Sequence, residues 1–540
     1  MFDFHNPYPS TRIPLFARNV VSTSHPVAAQ AGLQMLWRGG NAVDAAVAAA
    51  AAMTIVEPVS NGLGSDAFAL VWDGRTLQGL NASGRAPQGW TPDYFRRKYG
   101  PDSAHPPKRG IDAVTVPGAV SSWAALSQRF GRLPFADLMG PAIELAERGY
   151  AVTPVVQQKW AAPVEELRAL PGFAQTFLPF GRAPLTGELF RFPAAARALR
   201  AIAVTRGEAY YRGEVGAALA AFAREHGGVL GEADLAAYQP EWVTPIARNY
   251  RDATLHEIPP NGQGLAALIA LGILDRYDLA GLPVDGAQSQ HLQIEAMKLA
   301  FADVYRYVAE PGSMTLTAAD LLDDAYLDQR ARLIDPARAQ VFQAGGPGDV
   351  HRRGGTIYLS AADESGMMVS FIQSNYMGFG SGCVEPTFGV SLQNRGHAFS
   401  LDPASPNVVA PGKRPFHTII PAFLTRGGQP QMSFGVMGAN MQPQGHVQTL
   451  VRMLDHRQSP QAACDAPRWR FNSGLDINVE SAMDPATVQG LLQRGHRIAD
   501  ISDTYQDFGA GQFIWRAGDP SAEGYIAASD PRRDGQAVGF

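Results

Sequence analysis

The chain has little cysteine, no long apolar run and no large excess of one charge. Two cysteines in 540 residues, Cys383 and Cys464, with no CxxC pair, cannot build a disulfide framework. They read as buried thiols in a reducing compartment. The longest apolar run, Ala45 to Val56, is Ala-rich and too short to span a bilayer, so it reads as a buried helix and no membrane partner is expected. The N-terminus, Met1-Phe2-Asp3-Phe4-His5-Asn6-Pro7, lacks a basic segment followed by an apolar stretch, so no secretory signal is read and a cytoplasmic protein is the default expectation. A net charge of −5 offers no basic face for nucleic acid or an anionic membrane. The 12 histidines fall in no HxxxH, HxH or HExxH pattern, so no protein-bound metal is expected. Ser60 to Ser65 carries glycines but no Walker lysine, which argues against a phosphate loop. Nothing calls for a cofactor, and no fixed-period repeat suggests a solenoid or propeller.

What is present is an ordinary globular composition, 46% hydrophobic and 18% charged, long enough for two or more domains. Ala28 to Trp37 reads as a helix stopped by Gly39-Gly40, and Asn41 caps a second helix from Ala42. Val56-Glu57-Pro58 ends that helix, Ser60 to Asp66 is a loop, and Phe68 to Trp72 a strand. Residues 119 to 345 read as mostly helical, with helices over Phe135 to Arg148, Glu214 to His226, Leu265 to Tyr277 and Gln288 to Val308, the last bearing Lys298 and Asp303 in structural roles. Further on the pattern turns to strands, over Met367 to Gln373, Phe416 to Leu424 and Met432 to Met437, with helices at His446 to Leu454 and near Pro460 to Cys464. The shift falls at about residues 340–355, where a cleavable linker belongs. A sheet built from both halves with helices outside is the economical architecture.

Thr356 stands at that shift, in Gly354-Gly355-Thr356-Ile357-Tyr358, after the loop-like Ala344-Gly345-Gly346-Pro347-Gly348-Asp349. A threonine hydroxyl is a weak nucleophile without a base beside it. Cutting the chain just before it frees an α-amine, of ordinary pKa about 7.7–8.0, to serve as that base. Glycine at 355 leaves no side chain to obstruct a strained turn there. The bland alternative is a β-branched residue opening a strand.

Other stretches decide between them. Gly39-Gly40-Asn41-Ala42-Val43-Asp44-Ala45-Ala46, Val56-Glu57-Pro58, Val116-Pro117-Gly118, Glu295-Ala296-Met297-Lys298, Lys413-Arg414-Pro415 and Ala528-Ser529-Asp530-Pro531-Arg532 occur in that order. Together they resemble the γ-glutamyltransferase (glutathione hydrolase) family from about residue 20 to the C-terminus. The resemblance implies an α+β chain in a four-layer αββα sandwich, the N-terminal-nucleophile hydrolase fold. It also implies self-cleavage between Gly355 and Thr356 into a helix-rich piece, 1–355, and a strand-rich piece, 356–540, which stay intertwined as one catalytic domain.

Carried over residue by residue, the resemblance makes Thr356 the nucleophile and its freed amine the base. Ser374 takes the place of a threonine that hydrogen-bonds the nucleophile, and Gly438-Ala439 that of a Gly-Gly pair whose N–H groups hold the oxyanion. Met437, Met441 and Gln442 to His446 flank that pair and either shape an acyl pocket or line a helix start. Four departures alter the substrate grip. Ala398 replaces the acid that holds a substrate ammonium, His417-Thr418 replace a serine pair, Tyr376 replaces an asparagine, and Arg85 lies two positions from the register of the carboxylate-binding arginine. With Arg395 and His417 counted as gained cations or donors, the site should favour a small amide that bears a carboxylate and no free α-amine, as in oxamate amidohydrolases and cephalosporin acylases. The alternatives are a true glutathione hydrolase-transferase and, in another class, an uncleaved and inactive binding protein. Arg352-Arg353 either exposes the linker to proteases or solvates it. The partners implied are the substrate and the two fragments with each other; a homodimer or higher oligomer is left open.

Overall fold

A computed structural model describes residues 12–342, 355–501 and 508–540. The expected linker therefore lies largely outside the described residues, as do Arg352 and Arg353. Two seven-stranded antiparallel sheets form the centre. One runs in the order Gln536–Gly539, Val20–Thr23, Gly355–Ala362, Met368–Tyr376, Asp66–Trp72, Leu77–Ala82, Glu241–Val243. The other runs Leu15–Ala17, Tyr525–Ser529, Ala510–Arg516, Gln429–Met437, Ala422–Arg426, Ala253–Glu257, Ile246–Tyr250. Each sheet takes strands from both sides of residue 355.

Side-chain alternation along these strands sorts the core into layers. On the first sheet Ile357, Leu359, Ala361, Val369, Phe371, Ala67, Ala69 and Val71 pack against an outer layer that includes helices Pro26–Trp37, Ala42–Val56 and Ala119–Phe130. Their neighbours Tyr358, Ala362, Met368, Ile372, Phe68 and Leu70 meet Phe423, Met437, Ala510 and Ile514 of the second sheet. The far face of the second sheet carries helices Leu265–Leu274, Ala287–Tyr307 and Met441–Leu450. The result is the expected αββα sandwich.

Helix Ala42–Val56 is buried along its whole length, which its small side chains permit. Asn41 caps it, its side chain accepting from the N–H groups of Val43 and Asp44 at 3.0 Å each. A Cβ on Gly32 would lie 2.8 Å from the Ala45 carbonyl oxygen, so glycine sets how closely the first two helices approach.

Three expectations are corrected. The strand expected over Phe416 to Leu424 begins only at Ala422. Pro421 has no N–H for a ladder, and His417 pairs instead with the loop before helix Leu265–Leu274, through Asn261 and Gln263. The stretch 241–257, read as part of a helical region, holds three short strands. The helix expected from His446 starts at Met441, with Pro443 in its first turn, where a missing N–H costs nothing.

Candidate active site

Thr356 is the second residue of strand Gly355–Ala362 and only 2% exposed. The ladder to the next strand shifts here: Gly355 pairs with Tyr376 and Ile357 with Gln373, so Ser374 and Asn375 together oppose Thr356. The bulge brings Ser374 Oγ to 3.1 Å from Thr356 Oγ1. Ser374 Oγ donates to the Gly355 carbonyl oxygen at 2.7 Å and accepts from the Tyr376 N–H at 2.8 Å. A serine hydroxyl has one proton. With that proton on Gly355 O, Thr356 is the donor to Ser374, and the two hydroxyls form a chain ending on the carbonyl before Thr356. A Cβ on Gly355 would sit 3.0 Å from Val59 O and 3.1 Å from Ser60 Cα, so the close fit of this strand end to the loop after helix Ala42–Val56 favours glycine.

The two sheets are in register across the interior. Ser360 Oγ donates to Ser433 O at 3.2 Å, and the Tyr358 ring closes on Gly435. Strand Gln429–Met437 ends at Met437 and runs into Gly438-Ala439. Gly438 has φ 129° and Ala439 φ 53°, so the alanine is held in the left-handed region at a cost of about 1–2 kcal/mol. The carbonyls of this turn are occupied: Gly438 O accepts from Met441 N, Ala439 O from Gln442 N and from Gln263 Nε2 at 3.0 Å. Among the described residues the N–H groups of Gly438 and Ala439 have no hydrogen-bond partner. Gln263, in the loop before helix Leu265–Leu274, is the residue from the first half of the chain that fixes the turn.

Asp66, read from sequence as the end of a loop, opens strand Asp66–Trp72 and pairs directly with Ser374. Its Oδ2 lies 3.0 Å from His417 Nε2 and 3.9 Å from Arg395 Nε, and its Oδ1 accepts from Gly84 N at 3.1 Å. His417 Nδ1 accepts from Ile419 N at 3.4 Å, so Nε2 carries the ring proton and donates it to Asp66. Burial, with Arg395 and Arg414 adding to it, pushes His417 well below the usual range. His417 is therefore neutral, which corrects its expected part as a cation. Burial also pushes Asp66 up to about 7, against the pull of Arg395.

Arg395 is fully buried, donates from Nη1 to Thr418 Oγ1 at 2.9 Å, and lies 4.1 Å from the centre of the Tyr376 ring. Tyr376 itself has φ 76°. Tyr376, Arg395, His417 and Thr418 thus come together around Asp66. Arg85 stands apart: it holds Glu310 at 2.8 Å, Glu241 at 2.6 Å and Gly412 O at 2.8 Å. Glu241 also takes Arg414 at 2.7 Å, which links the Lys413-Arg414-Pro415 stretch to Arg85.

A further group of side chains that could hold a metal, His291, Glu295 and His496, lies on helix Ala287–Tyr307 and just before strand Arg497–Ile501. No sequence pattern flags it, because the histidines are 205 residues apart. Lys298 Nζ, 2.6 Å from Glu295 Oε1, already provides a cation there.

Two stacked antiparallel sheets between helical layers are the fold of the N-terminal-nucleophile hydrolase class. The family model described as γ-glutamyltranspeptidase matches residues 28–540, and the chain belongs to that family. It is 36% identical over 531 residues to the oxamate amidohydrolase proenzyme of Klebsiella pneumoniae, covering 96% of this chain and 97% of that one. It is 34% identical over 536 residues to the glutathione hydrolase-like YwrD proenzyme of Bacillus subtilis, covering 97% and 98%. The crystal structure of cephalosporin acylase from Bacillus halodurans superposes with a TM-score of 0.94 at 47% identity, over 100% of this chain and 99% of that one. No helix among the described residues is long and apolar enough to cross a membrane.

Proposed function

We propose that the protein is a self-processing amidohydrolase that acts through an acyl-Thr356 ester on small amides bearing a carboxylate. The observation that carries this is the hydroxyl chain from Thr356 through Ser374 to the Gly355 carbonyl oxygen. Attack of Thr356 Oγ on the Gly355 carbonyl carbon forms the ester as the 355–356 C–N bond breaks, the hydroxyl proton ends on the Thr356 nitrogen, and Ser374 donates to the oxygen on which charge develops. Water then cleaves the ester, leaving a carboxylate on Gly355 and a free amine on Thr356. In turnover that amine takes the Oγ proton as Oγ attacks the substrate amide, and passes it to the departing amine. The N–H groups of Gly438 and Ala439 face the oxyanion; such a donor contributes roughly 3–4 kcal/mol to the barrier. Water resolves the acyl ester, and transfer to another amine would follow the same path.

The charges support the substrate class. Arg395 is buried close to the Asp66–His417 pair, and Asp66 is engaged by His417 and, pushed up to about 7 by burial, is partly protonated at neutral pH. A carboxylate group fits such a site better than an ammonium. The relatives named for oxamate and for cephalosporin act on molecules of that kind. The test is intact mass of wild type and Thr356→Ala, followed by incubation with oxamate, glutaryl amides and glutathione. Two fragments from the wild type only, the smaller starting at Thr356, with turnover of the first two classes, support the reading. An uncut wild type refutes it.

A further inference from the structure

A second buried charge cluster touches Thr356, and the acyl-transfer chemistry leaves it without a role. Glu57 Oε1 accepts from Arg533 Nη1 at 2.5 Å, Lys159 Nζ at 3.0 Å and Ser60 Oγ at 2.7 Å, and Oε2 accepts from Ser24 Oγ at 2.8 Å. Lys159 also donates to Ser60 Oγ. Arg533 Nη2 reaches the Thr356 carbonyl oxygen at 3.3 Å. Burial pushes the Glu57 carboxyl up, but Arg533 and Lys159 outweigh it and hold it at about 2, so it stays ionised. Charges this deep are costly unless well paired. Two cations share Glu57, and one of them extends to the Thr356 carbonyl.

Backbone bond lengths keep the carbonyl oxygen and the nitrogen of one residue within about 4 Å of each other. The Arg533 guanidinium is thus a near neighbour of the amine that a cut at 355–356 would create. A like charge at such range disfavours the protonated form, and an amine must be neutral to accept a proton. We propose that Arg533, oriented by Glu57, is a positioning residue that holds the freed Thr356 amine in its neutral, proton-accepting form. This rests on the amidohydrolase reading above.

The other groups facing the cluster do not reverse the sign. His25 is neutral near pH 7, because burial pushes it down to about 4, and burial pushes the Tyr150 hydroxyl far up. The Asp534 carboxyl is pushed up by burial and is occupied by the N–H groups of Val155 and Val156. Around Asp66, Arg395 adds positive charge, His417 is neutral, and Asp66, pushed up to about 7 by burial, is partly protonated at neutral pH. Among the described residues Arg533 is the charged side chain that hydrogen-bonds Thr356.

The test is the pH dependence of acetylation of the Thr356 amine by acetic anhydride, read by mass spectrometry after hydroxylamine has removed any ester. Wild type comes first: an uncut chain refutes the amidohydrolase reading itself and is seen before any variant is made. In cut enzyme, Arg533→Gln should raise the titration midpoint of the amine by about one pH unit or more. Arg533→Lys should keep it near the wild-type value, and Lys159→Met should raise it less. An unchanged midpoint in Arg533→Gln overturns the proposal. If Arg533→Gln is not cut, Lys159→Met decides by the same criterion, and if neither is cut the cluster is structural and the proposal fails.

Discussion

Ser374 Oγ lies 3.1 Å from Thr356 Oγ1 and, with its single proton directed to Gly355 O, can only accept from it. The Thr356 hydroxyl proton therefore already points away from the carbonyl carbon next to it, towards a second hydroxyl that contacts the oxygen of that carbonyl. Ser374→Ala removes both contacts and should slow cleavage of the chain by about 100-fold, the usual effect of losing one oxyanion donor. Ser374→Thr, which keeps the hydroxyl, should restore most of the rate. A time course of fragment appearance by mass spectrometry measures both.

Ala439 is held at φ 53°, where a Cβ is tolerated and a branched one is not. Ala439→Gly keeps the N–H and should leave turnover within a few-fold of wild type. Ala439→Val should lower the melting temperature, by about 2–3 kcal/mol of stability, and reduce kcat more than it raises KM. Thermal unfolding together with steady-state kinetics separates the two effects.

Asp66 gives a pH dependence of defined sign. Its carboxyl is pushed up to about 7 by burial, so the folded protein binds this proton more tightly than the unfolded chain does. The stabilisation from that group is complete below about pH 4 and is lost as the pH rises to about 7. Above that range the added negative charge beside Arg395 should weaken binding of a carboxylate substrate. KM should rise through pH 7 in the wild type and stay flatter in Asp66→Asn, and the stability of the variant should change less between pH 4 and 7. KM profiles and urea denaturation at several pH values test this.

Glu57 behaves in the opposite sense. Despite burial its carboxyl is held at about 2 by Arg533 and Lys159, so its contribution is present above about pH 4.5 and lost as the pH falls towards 2. Glu57→Gln leaves two buried cations without their carboxylate and should destabilise the fold at neutral pH by about 3–5 kcal/mol. The loss should shrink on acidification, which denaturant titrations at pH 7 and pH 3.5 would show.

Local signals were read best where one residue type decides the outcome. Asn41 placed a helix start correctly because a side-chain acceptor there satisfies two specific N–H groups. The helix expected over Phe135 to Arg148 has those bounds in the structure. The strands around Thr356 are buried on both faces, so they carry no alternation of polarity, and the order of motifs singled out Thr356 where pattern could not. Asp66 escaped notice because its significance lies in pairing with Ser374, 308 residues away along the chain. The neutrality of His417 comes from burial and from two arginines, none of which sequence displays. Phe416 to Pro421 looks like a strand in sequence because apolar and β-branched residues suit a buried loop equally well.

The interleaving of strands has a consequence for the life history of the molecule. Strand Gly355–Ala362 is bordered by Val20–Thr23 on one side and Met368–Tyr376 on the other. Segments more than 300 residues apart must therefore be seated before the hydroxyl chain at Ser374 exists. The proposed cut can happen only in a molecule that has already completed its sheets, so the break serves as a receipt for correct folding. A chain that misfolds never acquires the amine and stays inert, whereas a finished enzyme that is later unfolded must rebuild the same sheets from two separate pieces, as a concentration-dependent encounter.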